Sequence, residues 1–76
     1  MNELFSYNKT MTIGEIIKSL RLESKMTQSE LASLLFTSQD TISLWERNKS
    51  LPDVKSVIKM TSIFGVSADY ILGIEK

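Results

Sequence analysis

Residues 27–47, TQSELASLLFTSQDTISLWER, hold two short helical patterns broken at Phe36, Thr37 and Ser38. Thr27 and Glu30 have the spacing of a capping box, in which hydroxyl and carboxylate satisfy amides left free in a helix's first turn. Leu31, Leu34 and Leu35 then give that helix a stripe to bury, and Ala32 is small enough to let a second helix cross closely. Ser38 is a good N-cap for the next helix, whose inward face is Ile42 and Trp45 at i, i+3. It should end near Arg47 or Asn48. Gln39, Asp40, Ser43, Leu44 and Arg47 are left together on the outward face.

The same signals continue in both directions. Upstream, Thr12 and Glu15 form another capping box, and Ile13, Ile16, Ile17 and Leu20 recur at helical spacing, so a helix is expected over 13–24 with about two residues before the next. Downstream, Asn48, Ser50 and Pro52 mark a loop, because asparagine tolerates left-handed backbone and proline pushes its predecessor out of helical geometry. Asp53 can cap a fourth helix whose apolar positions include Val54, Val57, Ile58 and Phe64, with Gly65 as its stop. Ser67 can cap a last short helix carrying Ala68, Ile71 and Leu72, closed by Gly73. Period-two alternation of strand length, internal repeats and low-complexity tracts are all missing from the sequence. The expected fold is all-α with five short helices over residues 12–74, preceded by an extension, 1–11, in which Leu4, Phe5 and Tyr7 are apolar enough to pack somewhere.

Composition narrows the chemistry. At 76 residues the expectation is a single domain with a modest core and no room for a ligand-sensing module. With 42% hydrophobic and 24% charged residues it is too apolar for a disordered tail. It has no cysteine and no histidine, which removes disulfides, thiol nucleophiles, imidazole bases and the usual zinc ligands. No metal, cofactor or small-molecule ligand is expected. Carboxylates stand singly and no glycine-rich phosphate loop occurs, so an enzyme is not expected. The first residues lack the basic and apolar pattern of a leader, and no run is long enough for a membrane span, giving a cytoplasmic expectation. Formal net charge is zero and pI is about 6.2, against a protein that coats nucleic acid electrostatically. The charge is uneven, however: residues 47–59 carry Arg47, Lys49, Lys55 and Lys59 against Asp53 alone.

Two short helices joined by a tight turn, the second with a polar outer face, fit a helix into the major groove of DNA. The stretches MTQSELASLL (26–35), TSQDTISLWERNKSLPD (37–53) and FGVSADYILG (64–73) resemble the Cro and lambda-type repressors, the xenobiotic-response-element family of helix-turn-helix regulators. The resemblance runs from Ile13 to Gly73. It implies a sequence-specific regulator of transcription, by default a repressor that blocks a promoter, reading double-stranded DNA with the helix at 39–47.

The resemblance implies roles position by position. Gln28 matches a glutamine that binds a backbone phosphate, although a partnerless polar residue is the plainer alternative. Gln39 and Asp40 fall where the family reads base edges; glutamine can pair with adenine and aspartate can accept from cytosine. Asp40 equally suits the helix dipole without DNA. Ser43 and Leu44 complete the base candidates, Leu44 by touching a thymine methyl group. Ser38, Thr41, Arg47, Asn48 and Lys49 are the remaining phosphate candidates, with Lys49 foremost. Arg21 and Glu46 match an arginine and glutamate that pair within the domain, so they read as an internal bridge.

Such a domain is expected to work as a homodimer on half-sites about 10 base pairs apart. The interface expected is Tyr70, Ile71 and Ile74, with Phe5 and Tyr7 as further candidates, unless these side chains merely complete the monomer's core. An antitoxin-like role, with a protein partner bound elsewhere on the fold, is the rival reading. One departure stands out: the turn usually carries glycine where this chain has Phe36, and an aliphatic residue where it has Thr37. A left-handed phenylalanine costs on the order of 1 kcal/mol, so either the turn differs slightly or the ring gains contacts that offset the strain.

Overall fold

In a computed structural model describing residues 11–74, the chain forms α1 (Ile13–Glu23), α2 (Gln28–Leu34), α3 (Gln39–Glu46), α4 (Val54–Phe64) and α5 (Ala68–Ile71). Among the described residues there is no strand. Phe5 and Tyr7 lie outside them.

Short helices of this kind depend on their ends, because the first amides and last carbonyls have no partner within the helix. Each of the five N-caps read from the sequence is in place: the side chains of Thr12, Thr27, Ser38, Asp53 and Ser67 accept from backbone amides three residues on. The capping boxes at Thr12–Glu15 and Thr27–Glu30 are reciprocal, with Glu15 Oε1 and Glu30 Oε1 each accepting from the cap amide. The Ser56 hydroxyl and amide, both donating to Asp53, hold its carboxyl below the ordinary value.

The C-termini follow one rule with an unexpected cast. After α1, α2 and α3 the chain turns through a left-handed residue, Lys25, Phe36 and Asn48 in turn, with φ of 59°, 57° and 60°. At each the paired bonds of a Schellman motif close the helix; after α2, the Phe36 amide donates to Ser33 O and the Thr37 amide to Ala32 O. Of the two outcomes left open by a phenylalanine in this turn, the chain takes the strained one, with Phe36 itself left-handed. Its ring is 83% exposed, with the Lys59 ammonium 4.6 Å from the ring centroid, a cation–π contact that offsets part of the strain. Gly65 and Gly73 supply the left-handed positions after α4 and α5.

The core gathers Ile16, Ile17 and Leu20 of α1, Leu31, Ala32 and Leu35 around α2, Ile42 and Trp45 of α3, Val57 and Met60 of α4, and Ile71 of α5. Three expectations are corrected. Leu34 is exposed and Ala32 takes its place inside, because the face of α2 that meets α3 is rotated from the leucine stripe. Val54 and Ile58 are exposed, while Met60 is fully buried. Ile71, expected at a dimer interface, is also fully buried, since the single turn of α5 packs against α1 and α4.

The first turn of α1 lies against the last of α3 at Gly14. A Cβ on Gly14 would stand 2.3 Å from Trp45 O and 2.8 Å from both Glu46 O and Asn48 Oδ1. Asn48 fastens this crossing: Oδ1 accepts from the Gly14 amide at 3.1 Å and Nδ2 donates to Thr12 Oγ1 at 2.9 Å. Gly14→Ala is therefore expected to destabilise the domain by about 2–3 kcal/mol or more, read as a lower urea midpoint at unchanged slope. A neutral result would mean that α1 slides freely along α3.

Candidate nucleic-acid interface

The sides of α3 are sharply divided. Ile42 and Trp45 point into the core, while Gln39, Asp40, Leu44 and Arg47 are exposed and Thr41 and Ser43 half-buried. The leading end of the helix is therefore open to solvent, as a helix entering a groove must be. Ser38 caps it, accepting from the Thr41 amide at 3.1 Å, and the Ser38 and Thr41 hydroxyls share a 2.9 Å hydrogen bond. Arg47 Nε donates to Ser43 Oγ one turn back at 3.1 Å, which holds the guanidinium along the helix. The Asp40 side chain has no polar partner among the described residues.

Beneath that face, Arg21 and Glu46 meet as a buried, two-pronged ion pair: Nε donates to Oε2 at 2.6 Å and Nη2 to Oε1 at 3.1 Å. Their side chains are 9% and 3% exposed. Arg21 Nη1 also donates to Met26 O in the α1–α2 turn at 2.8 Å. Glu46 Oε1 accepts a further bond from Gln28 Nε2 at 2.9 Å, and Gln28 Oε1 accepts from Gln39 Nε2 at 2.9 Å. An unbroken set of hydrogen bonds runs from the ion pair to the first residue of α3. Both ends of the Gln28 amide are thus engaged within the protein, leaving one Nε2 hydrogen for a phosphate.

In the loop after α3, Lys49 is exposed and its side chain has no partner among the described residues. Asn48 differs, because its amide is already used on Thr12 and Gly14. On α5 and just after it, Tyr70 and Ile74 are exposed whereas Ile71 is not. The sequence reading missed the Gln28–Gln39 and Gln28–Glu46 bonds. The partners lie 11 and 18 positions apart, and only the crossing of α2 on α3 brings them together.

Residues 17–71 match the family described as Helix-turn-helix. The chain is 38% identical over 64 residues to the HTH-type transcriptional regulator DicA of Escherichia coli, covering 84% of this chain and 47% of that protein. It is 33% identical over 63 residues to the HTH-type transcriptional regulator ImmR of Bacillus subtilis, covering 83% of this chain and 50% of that one. It thus spans about half the length of these relatives. Among solved structures, the c2 repressor of phage P22 in complex with a synthetic operator superposes with a TM-score of 0.80 at 29% identity, over 87% of this chain and 100% of that one. The fold is accordingly that of the lambda-repressor-like DNA-binding domain.

Because the Arg21 side chain is buried, removing Glu46 leaves its charge unpaired. Glu46→Ala is expected to cost about 3–5 kcal/mol of stability, measured by chemical denaturation, whereas the paired replacement Arg21→Met with Glu46→Leu stays close to neutral. Equal losses in the two variants would show that packing volume, not the unpaired charge, sets the cost.

Proposed function

The chain belongs to the helix-turn-helix family, and from that premise we propose that it is a sequence-specific transcriptional regulator, a repressor, that reads the major groove of double-stranded DNA with α3. The observation carrying this reading is the division of α3 into a buried side and an open side that begins at its free leading end. Gln39, Asp40, Ser43 and Leu44 are the residues assigned to base edges. Gln28, Ser38, Thr41, Arg47 and Lys49 are assigned to phosphates, with Asn48 contributing through its backbone position in the loop. The regulator acts in the cytoplasm, uses no cofactor and catalyses no reaction. Among the described residues no helix is long and apolar enough to cross a membrane.

A chain of zero net charge gains little from bulk attraction to DNA, so two copies on a pseudo-palindrome are the working unit. The self-association surface is assigned to Tyr70 and Ile74. A second reading, a protein-interaction role, is favoured by one observation: Phe36, Ile58, Val54 and Leu51 are exposed apolar side chains on the turn before α3 and on the N-terminal half of α4 with its preceding loop.

Selection of bound sites from random duplexes tests the reading directly, since it reports specificity, spacing and stoichiometry together. On the selected site, Gln39→Ala is expected to lose roughly 1–3 kcal/mol of discrimination at one base position, and Lys49→Ala to weaken binding on every sequence while reducing the salt slope by roughly one unit. Uniform weakening by the first, or an unchanged slope with the second, would reject the respective contact. Ile74→Asp is expected to shift the protein toward monomer in sedimentation and to lower affinity for a two-half-site duplex more than for a single half-site. If Ile74→Asp leaves the dimer intact and a charge at Val54 disrupts it, the α4 surface carries the association instead.

A further inference from the structure

Glu46 is buried below the exposed face of α3, out of reach of a base itself. Hydrogen-bond polarity nevertheless gives it a part in choosing one. An ionised carboxylate accepts and cannot donate, so a neighbouring glutamine amide can meet it only through its NH2 end. The Glu46 carboxylate, paired with Arg21, therefore fixes the orientation of Gln28: Nε2 toward Oε1 of Glu46 at 2.9 Å, and Oε1 away from it. The exposed carbonyl of Gln28 in turn can meet Gln39 only through that residue's NH2 end, which it does at 2.9 Å. Gln39 is left with one N–H and its carbonyl oxygen.

Resting on the proposed major-groove reading, we infer that Glu46 is a positioning residue that sets the donor and acceptor ends of Gln39, and so biases the base it reads toward adenine over guanine. The major-groove edge of adenine offers N7 as acceptor and the N6 amino group as donor, which one N–H and one carbonyl satisfy together. Guanine offers two acceptors, N7 and O6. It suits a glutamine turned the other way, with its carbonyl spent on a neighbour and both N–H groups free. Glu46 forbids that arrangement through the intervening Gln28.

The test uses the 76-residue chain and two readouts. Arg21→Met with Glu46→Leu removes the acceptor while keeping the site filled and neutral, and Glu46→Gln keeps the shape but offers a donor end, which frees Gln28 to turn over. The probe is the duplex selected by the unaltered chain and its adenine-to-guanine variants at each position. At the position that Gln39→Ala affects, the preference for adenine over guanine is expected to fall by on the order of tenfold in both variants. Adding Gln39→Ala to either should lower it no further. In the free protein, the side-chain amide resonances of Gln39 should move toward those of a solvated glutamine in Arg21→Met with Glu46→Leu. A purely structural bridge moves neither readout in a variant that remains folded by circular dichroism.

An undiminished adenine preference in both variants, with Gln39→Ala still abolishing it, overturns the role of Glu46 and leaves base reading by Gln39 standing. Unmoved Gln39 amide resonances also overturn it, since polarity is then set by something other than the carboxylate. If Gln39→Ala alters no base preference at any position, the base reading fails and the inference fails with it.

Discussion

One acid group organises this domain. The Glu46 carboxylate is buried at the end of α3 and draws its donors from Arg21 on α1 and Gln28 on α2, while Arg21 also takes the Met26 carbonyl in the intervening turn. Desolvating these charges costs several kcal/mol per ion, so the arrangement persists only because each of the four bonds is made with short, directed geometry. Apolar burial supplies most of the stability and is indifferent to direction. The ion pair is not: moving α2 or α3 by one turn would strand a charge. The hydrophobic core keeps three helices together, and the bonds of Glu46 tie α1 and α2 to the end of α3 in one arrangement.

Local devices prepare the helices for that contact. With seven residues in α2, eight in α3 and four in α5, none is stable alone in water. Side-chain caps begin every helix, and left-handed residues end the first three sharply enough for the next to start within a few residues. The chain accepts the cost of placing Phe36 and Lys25, neither of them glycine, in that geometry because both backbone bonds of each motif are formed.

These differences in origin explain what the sequence disclosed. The five N-caps and the division of α3 were legible because each depends on residues three or four positions apart, within one turn of helix. Asn48, Gly65 and Gly73 were legible as left-handed positions by residue type, whereas Lys25 carries no such signal and its conformation follows from the need to reverse the chain before Thr27. Leu34, Val54 and Ile58 misled because a leucine or valine at helical spacing shows that a face is apolar without showing which neighbour covers it. Ile71 misled in the opposite sense: a four-residue helix has too little periodicity to separate an inward side chain from the exposed Tyr70 beside it. The link from Glu46 through Gln28 to Gln39 was beyond reach, since it exists only where α2 crosses α3.

The neutral charge of the chain gives that link its importance. A strongly basic regulator gains affinity on any sequence by releasing counterions, and specific contacts then act on top of a large common term. Here nine basic residues are matched by nine acidic ones, so for the regulator proposed above the common term is small and the ratio between right and wrong sites depends more heavily on a few contacts at α3. A glutamine free to rotate would pay about 0.5–1.5 kcal/mol to become ordered at the interface and could satisfy more than one base edge by turning over. Bonded to Gln28 before DNA arrives, Gln39 has met part of that entropy loss during folding and presents one polarity. The ordering traces to the same buried carboxylate that joins the helices, so on the reading proposed for α3 packing and base choice rest on a shared set of hydrogen bonds.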